Sequence, residues 1–203
     1  MTDFRPVISS VIAVLLISGM AEAQQKARKA GLYAMFDTSM GGFTCELYEK
    51  AAPVAVANFV GLADGTKEWL SPKGDMLKKP FYNGITFHRV VKGFMIQAGD
   101  ISGKGNFDYV IKFEDEIVPS LRFDKPGVLA MANYGPRTNG TQFFITVAPE
   151  PHLNGKHTIF GRVVEGMEVV QKISEVPVGP AKKPTKDVII TKVTIERVGR
   201  TAK

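Results

Sequence analysis

The fold of this chain is restricted most by a succession of short strand-like segments, most of them too close in sequence for parallel crossovers, which need a dozen or more residues. The segments are Leu32–Asp37, Phe43–Tyr48, Ile85–Val91, Phe94–Ala98, Val128–Ala132, Gln142–Val147, Ile159–Val163 and Val188–Arg197. Glycine at 20 and proline at 12 of 203 residues supply frequent turn signals, and Ser39-Met40-Gly41-Gly42 places a hairpin turn between the first two strands. Two segments break the pattern. Pro53 suits a first helical turn, Val56, Phe59, Val60 and Ala63 recur at helical spacing, and Gly65 is placed to stop the helix. Met167, Val170 and Ile173 share one face of a second, short helix that ends before Pro177. Thr66 to Pro80 reads as a surface loop with Trp69 as a local packing anchor, Ala181 to Lys186 as a loop and Arg200 to Lys203 as a frayed tail. The pattern predicts one mainly β domain, an antiparallel sheet or closed barrel accompanied by two α-helices.

Several strands carry large apolar groups on both faces. In Gln142–Val147, Phe143, Ile145 and Val147 share one side while Gln142, Phe144 and Thr146 share the other, and Met95 with Gln97 opposes Phe94 with Ile96. One face can fill a barrel. The other must be covered by a helix, a loop or a ligand, and its mixture of Gln with Met or Phe fits an amphipathic groove. Glutamines that simply face solvent would give the same alternation.

Hydrophobic residues at 44% and charged residues at 23% are near the soluble globular average. The net charge of +6 is scattered without a dense basic stripe, which argues against nucleic acid; attraction to acidic envelopes or acidic client proteins accounts for it equally well. Val7 to Met20 is an apolar run of 14 residues interrupted only by serines and Gly19, preceded by Arg5 and followed by Ala21-Glu22-Ala23. Shorter than the roughly 20 residues of a membrane span, it predicts a signal peptide over residues 1–23, cleaved after Ala23. The mature protein is then periplasmic or secreted, with no stable membrane insertion. Retention as an anchor is the alternative, because Asp3 offsets Arg5. Cys45, the only cysteine, cannot form a disulfide within the chain, and its alternation with Phe43 and Leu47 predicts a small buried hydrophobe.

Three segments resemble the cyclophilin family: Phe87-His88-Arg89-Val90 running into Gly93-Phe94-Met95-Ile96-Gln97-Ala98-Gly99-Asp100; Met131-Ala132-Asn133 through Gly135-Pro136 and Thr138-Asn139-Gly140-Thr141-Gln142-Phe143-Phe144-Ile145; and Leu153-Asn154-Gly155-Lys156-His157 followed by Phe160-Gly161. The resemblance extends from Leu32 to Val198, within a domain placed at residues 30–200. It implies a closed eight-stranded antiparallel barrel capped by two α-helices, and peptidyl-prolyl cis/trans isomerisation of exported or folding proteins. By position, the catalytic arginine is Arg89 and the proline pocket is Phe94, Met95, Phe144 and Leu153. Gln97, Ala132, Asn133, Gln142 and His157 fall on the remaining groove positions. The implied partners are proline-containing peptides and unfolded or folding proteins. No cofactor, metal or covalent intermediate is implied, and His88, His152 and His157 show no ligand spacing.

Three departures from the family pattern border the groove. His152 stands where many eukaryotic members carry the tryptophan associated with tight cyclosporin binding, so cyclosporin-type ligands are expected to bind weakly. Tyr134 replaces a small residue beside Asn133, and the stretch Ile101 to Ile111 is shorter and less glycine-rich than in many relatives. The rival readings are a chaperone-like module that only holds peptides in the groove, and a lipocalin-like barrel carrying a small apolar molecule. Arg89 and Gln97 favour the enzyme over the first, and bulky inward Phe and Ile residues oppose the second.

Overall fold

Ten strands and two α-helices follow from the pattern of turns and apolar residues in the computed structural model, which describes residues 28–102 and 109–199. The signal segment 1–23, its cleavage point and the tail Arg200 to Lys203 lie outside the described residues, as does part of the Ile101 to Ile111 stretch. In chain order the elements are β1 (Gly31–Thr38), β2 (Gly41–Leu47), α1 (Pro53–Asp64), β3 (Trp69–Leu70), β4 (Met76–Leu77), β5 (Arg89–Val91), β6 (Met95–Ala98), β7 (Val128–Met131), β8 (Phe143–Thr146), β9 (Ile159–Glu165), α2 (Met167–Ser174) and β10 (Ile190–Val198). The β1–β2 turn is tighter than expected. Thr38 already pairs with Gly41, so only Ser39 and Met40 lie between, and Gly41 adopts a φ of 121° that residues with a side chain rarely tolerate.

Eight strands form one sheet in the order β10-β1-β2-β9-β7-β8-β6-β5. The expected closed barrel is an open half-barrel. Strand β5 is only three residues long, and the two edges meet at a single antiparallel bridge, Thr86 to Ile189, where Phe87 N–H donates to the Val188 carbonyl and Ile190 N–H to the Ile85 carbonyl. A ladder needs extended backbone on both edges, and the segment before Arg89 supplies it at one point only. The expected polar loop from Thr66 to Pro80 contains the small β3–β4 ribbon, paired Trp69 to Leu77 and Leu70 to Met76. Trp69 anchors it: the indole is buried edge-on against Phe81, and its Nε1–H donates to the Lys79 carbonyl at 2.9 Å.

The inner face of the half-barrel is filled by rings. Phe36 stacks on Phe43 at 4.6 Å, and Phe59 from α1 reaches Tyr82, Phe143 and Phe160 at 4.9, 5.7 and 5.4 Å. Helix α1 thus covers one opening with the side predicted from Val56, Phe59 and Ala63, and Gly65 ends it in the left-handed conformation. Its N-terminal amides are satisfied from afar, by the Glu116 carboxylate accepting from Val54 N–H and Ala55 N–H at 3.0 and 2.8 Å. Helix α2 buries Val170 and Ile173. Cys45 is fully buried, and burial pushes its thiol pKa far up, as expected of an inert packing residue. Leu32–Arg197 form one compact unit.

Candidate functional site

Strand register builds the site. Arg89 pairs with Gln97, Gln97 with Phe144 and Phe144 with Ala130, so these four residues stand in one row across β5, β6, β8 and β7. The adjacent row, Val90, Ile96, Ile145 and Leu129, points the opposite way and belongs to the inner core. The two-faced strands read from the sequence are therefore two-sided in fact. Phe143 and Ile145 fill the half-barrel, while Met95 and Phe144 join a second apolar cluster with Phe123, Val128, Ala130, Ala132, Leu153 and Ile159.

Over this second cluster lies a cavity of about 230 Å³ lined by Arg89, Phe94, Met95, Gln97, Ala132, Asn133, Phe144, Leu153 and His157. Its size suits one side chain, being smaller than the roughly 300–1,000 Å³ of pockets that take drug-sized ligands. Nine of the expected site residues meet there. Two do not: Gln142 is fully buried behind the wall, and His152 stands on the rim with its ring 5.9 Å from Phe94 and its Nδ1 3.3 Å from the Glu150 carboxylate.

The floor is apolar and one wall is polar. Arg89 Nη1–H donates to Gln97 Oε1 at 3.0 Å, and Gln97 Nε2–H donates to Gln142 Oε1 at 2.8 Å. This pins the guanidinium beside the cavity. On the opposite side the His157 ring stands edge-on to Phe144 at 5.3 Å. Its Nδ1 lies 3.1 Å from the Met131 carbonyl, which can only accept, so the proton sits on Nδ1. Burial pushes the His157 pKa below the usual imidazole range despite that hydrogen bond and the Asp115 charge, so the ring is neutral near pH 7. The Asn133 side chain is spent on the Lys156 carbonyl and Asp115, at 3.0 and 3.3 Å, which leaves its main chain as the part offered to the groove.

Three residues were missed from sequence. Phe123 lies in a loop with no periodicity, yet it stacks on Phe144 at 5.9 Å and supports the floor; its N–H donates to Asn154 Oδ1 at 2.9 Å, which ties it to the turn carrying Leu153. Asp115 gathers Asn133, the Asn139 side chain at 2.9 Å and the Arg137 amide at 2.9 Å, so one carboxylate shapes the groove's far end. His88, next to Arg89 in sequence, is buried with an Nδ1 that has no partner. The motif around Arg89 was the only signal for it. Glycine is required at one point of this wall: at Gly99, with φ of 96°, a Cβ would stand 2.3 Å from the Thr141 carbonyl oxygen and 2.6 Å from Gln142 Cα. Among the described residues no group of three or more His, Cys, Asp or Glu side chains could hold a metal ion.

Comparison with known proteins agrees with this geometry. The family model described as cyclophilin type peptidyl-prolyl cis-trans isomerase/CLD matches residues 33–195. Peptidyl-prolyl cis-trans isomerase A of Mycobacterium tuberculosis is 49% identical over 170 residues, covering 80% of this chain and 91% of the relative. Peptidyl-prolyl cis-trans isomerase B of Streptomyces anulatus is 47% identical over 169 residues, covering 81% and 97%. A crystal structure of a Cryptosporidium parvum cyclophilin type peptidyl-prolyl cis-trans isomerase superposes with a TM-score of 0.72 at 33% identity, over 82% of this chain and 98% of that one. The same protein was also crystallised in the presence of the dipeptide Ala-Pro. Strand rows, cavity and relatives point the same way: this chain belongs to the cyclophilin-type peptidyl-prolyl cis-trans isomerase family and is a peptidyl-prolyl cis-trans isomerase.

Proposed function

We propose that this isomerase acts on Xaa-Pro bonds of unfolded or folding proteins outside the cytoplasm of a bacterium, with Arg89 as its catalytic residue and Phe94, Met95, Phe144 and Leu153 as its proline pocket. One observation carries the assignment of roles: a guanidinium held by Gln97 at 3.0 Å on the edge of an apolar cavity the size of one side chain.

The chemistry follows from the amide. Its C–N bond has partial double-bond character and a rotation barrier of ~18–20 kcal/mol, and no bond has to break. At the twisted transition state the prolyl nitrogen regains a lone pair, so a fixed donor aimed at that nitrogen stabilises the transition state more than either planar ground state. The Arg89 guanidinium has only donors and no acceptor. A charged hydrogen bond contributes roughly 1.5–3 kcal/mol, or about ten- to a few hundred-fold in rate, so Arg89 alone does not account for the catalysis. The pocket supplies the rest: it holds the pyrrolidine ring still and withholds the water that stabilises the planar, polar amide, while Gln97 and the Asn133 main chain hold the flanking carbonyls. His157, neutral and edge-on to Phe144, shapes the pocket without transferring a proton.

Arg89→Ala is expected to lower kcat/KM by roughly ten- to a thousand-fold with the fold intact, because a donor used only in the transition state is removed. Activity near wild type on Xaa-Pro peptides would reject the role. The export reading rests on the apolar run Val7 to Met20 and the small residues at Ala21 and Ala23. Intact-mass measurement of protein recovered from periplasm or culture supernatant is expected to give a chain starting at Gln24; a chain that keeps residues 1–23 would overturn cleavage.

A further inference from the structure

We propose that Asp115 is a positioning residue for this reaction: one carboxylate that gathers three amide donors and so fixes the Asn133 main chain where a bound peptide needs it. The proposal rests on the reading that the Asn133 main chain holds a carbonyl flanking the proline.

Asp115 is the middle of the acidic run Glu114-Asp115-Glu116, and each member has a different part. Glu114 is exposed and reaches only the exposed Arg137 guanidinium at 4.0 Å, an ion pair that contributes little. Glu116 caps α1 with its carboxylate, and its N–H donates to Thr158 Oγ1 at 2.8 Å. On the other side, Phe113 N–H donates to the Asn139 carbonyl at 3.1 Å, and Asn139 Nδ2–H donates to the Phe113 carbonyl at 3.2 Å. The backbone of Asp115 is therefore held from both sides before its carboxylate makes any contact.

Its hydrogen bonds all go to the segment from Asn133 to Asn139. Oδ1 accepts from Asn133 Nδ2–H at 3.3 Å and from Asn139 Nδ2–H at 2.9 Å, and Oδ2 accepts from Arg137 N–H at 2.9 Å. None of residues 133–138 is buried, so apolar packing does little to shape this segment. Arg137 nevertheless takes a left-handed φ of 62°, which a residue with a Cβ rarely adopts. Its side chain is 74% exposed and does not account for that; its amide, held by Asp115, does.

Asn133 is the member of the segment that meets the groove. The preceding residue is still tied to the sheet, Ala132 N–H donating to the Gln142 carbonyl at 3.0 Å. Among the described residues no hydrogen bond is made by the Asn133 N–H or carbonyl, so both stay available to a peptide in the cavity that Asn133 lines. A main chain without a ladder partner takes its angle from its side chain and its neighbours. Here the side chain is fixed by the Lys156 carbonyl at 3.0 Å and by Asp115, and the next turn by Asp115 again through Arg137. A looseness of about 1 Å is enough to spoil such a site. The contact is made to the peptide in its planar ground state as well as in the twisted transition state, so its loss should weaken binding more than it slows the bound step. Loss of Arg89 should do the reverse.

The test titrates a short Ala-Pro peptide into isotope-labelled protein, reading Kd from the amide shifts and turnover from cis/trans exchange at saturation. The proteins are wild type, Asp115→Ala, Asp115→Asn, Asn133→Ala and the double variant Asp115→Ala with Asn133→Ala. Asparagine keeps the size of Asp115 and one of its oxygens, enough for the Arg137 amide or for the two side-chain amides but not for both. Asp115→Ala is expected to weaken binding about tenfold with turnover at saturation within about twofold of wild type, and Asp115→Asn to weaken it about threefold. In the double variant the two effects should fall well short of multiplying, because both substitutions release the same stretch of main chain. A wild-type Kd in Asp115→Ala, a loss of turnover with Kd unchanged, or effects that multiply would each overturn the proposal. If Asp115→Ala does not fold, Asp115→Asn decides, and a wild-type Kd there overturns it. The Asn133 amide resonance of the wild type separates the two ways of failing. A peptide-induced shift there beside a wild-type Kd in Asp115→Ala would sink this proposal alone, whereas no shift would sink the Asn133 reading and the proposal with it.

Discussion

Two rows of side chains, one residue apart on the same strands, face opposite sides of the sheet and obey different rules. Val90, Ile96, Ile145 and Leu129 are all fully buried and apolar, in a core of stacked and edge-on rings. Arg89, Gln97, Phe144 and Ala130 mix a cation, an amide, a ring and a methyl, and the groove above them is only partly closed. The first row can be satisfied by any well-packed apolar set, because dispersion and burial are not directional. The second row depends on orientation: the Arg89 guanidinium and the Gln97 amide must each point one way, with Gln142 accepting from the amide behind them. A strand with period 2 carries both sets at once, so a half-barrel can keep a rigid core within a few ångströms of a polar site.

The widest expected separation between the two faces is at Phe143 and Phe144. Phe143 is fully buried among Phe36, Phe59 and Tyr82, with ring centroids at 5.6–5.7 Å. Truncation to alanine leaves a dry cavity and is expected to cost ~3–5 kcal/mol of stability, with kcat/KM per folded molecule within a few-fold of wild type. Phe144 lines the groove, where water can enter the space its ring leaves. Phe144→Ala is expected to cost roughly half as much stability while lowering kcat/KM about ten- to a hundred-fold, since the pyrrolidine ring loses its wall. Urea titration and single-turnover assays on both variants make the comparison. Equal activity losses in the two would mean that the faces are not functionally separate.

Legibility in the sequence followed the same division. Period-2 alternation in Gln142–Val147 exposed the two faces before any fold was known, and Pro53 and Gly65 marked the ends of α1 to the residue. The β3–β4 ribbon escaped because a strand of two residues has no period to detect. Phe123 and Asp115 escaped because their roles exist only across 18 residues or more of chain: Phe123 is drawn to Phe144 by stacking, and Asp115 is set by the amides it gathers. Closure of the sheet was misjudged for a related reason. Strand count restricts a barrel, but whether the last edge pairs depends on three or four backbone groups near Thr86 and Ile189 that composition does not encode. The site residues were placed by the resemblance, and what it could not supply was direction, namely which end of each amide faces Arg89.

Two imidazoles that burial has disturbed, His157 lining the groove and His88 next to Arg89 in sequence, titrate in the acid range, so acid should distinguish this region from the apolar core. Both His88 and His157 have pKa values pushed below the ordinary 6.5 chiefly by burial. Unfolded imidazoles take up protons near 6.5, while the folded ones resist until lower pH, so within that window the unfolded state binds more protons. Stability is therefore fully present above pH 6.5, falls as the pH drops through the window, and levels off below the folded pKa values. The double variant His88→Gln with His157→Asn should show a flatter dependence, whereas Phe143→Ala should lower the whole curve without changing its slope. Urea midpoints at about pH 7.5 and 5.5 check this, and the same slope in wild type and the double variant would mean that the rings are not held neutral.

The smallest expected effect is at the rim, where His152 belongs to neither row. Its side chain is 62% exposed, its Nδ1 is 3.3 Å from Glu150, and its ring is tilted 37° against Phe94. His152→Trp replaces a hydrated ring with a broad apolar face and one N–H donor, placed where Phe94 already offers a ring to pack against. At about 25 cal/mol per Å² of apolar area, an extra 40–80 Å² of contact with a largely apolar cyclic peptide such as cyclosporin contributes ~1–2 kcal/mol, or about five- to thirty-fold in affinity. Turnover should change much less, because Arg89, Gln97 and the cavity floor are untouched and the 3-10 turn Pro151–Leu153 is held by its own backbone, with Leu153 N–H on the Glu150 carbonyl at 3.0 Å. Inhibition titrations on wild type and variant read both halves in one experiment. Equal affinity in the two proteins would show that ligands do not reach the rim, and a collapse of turnover would show that position 152 belongs to the groove row after all.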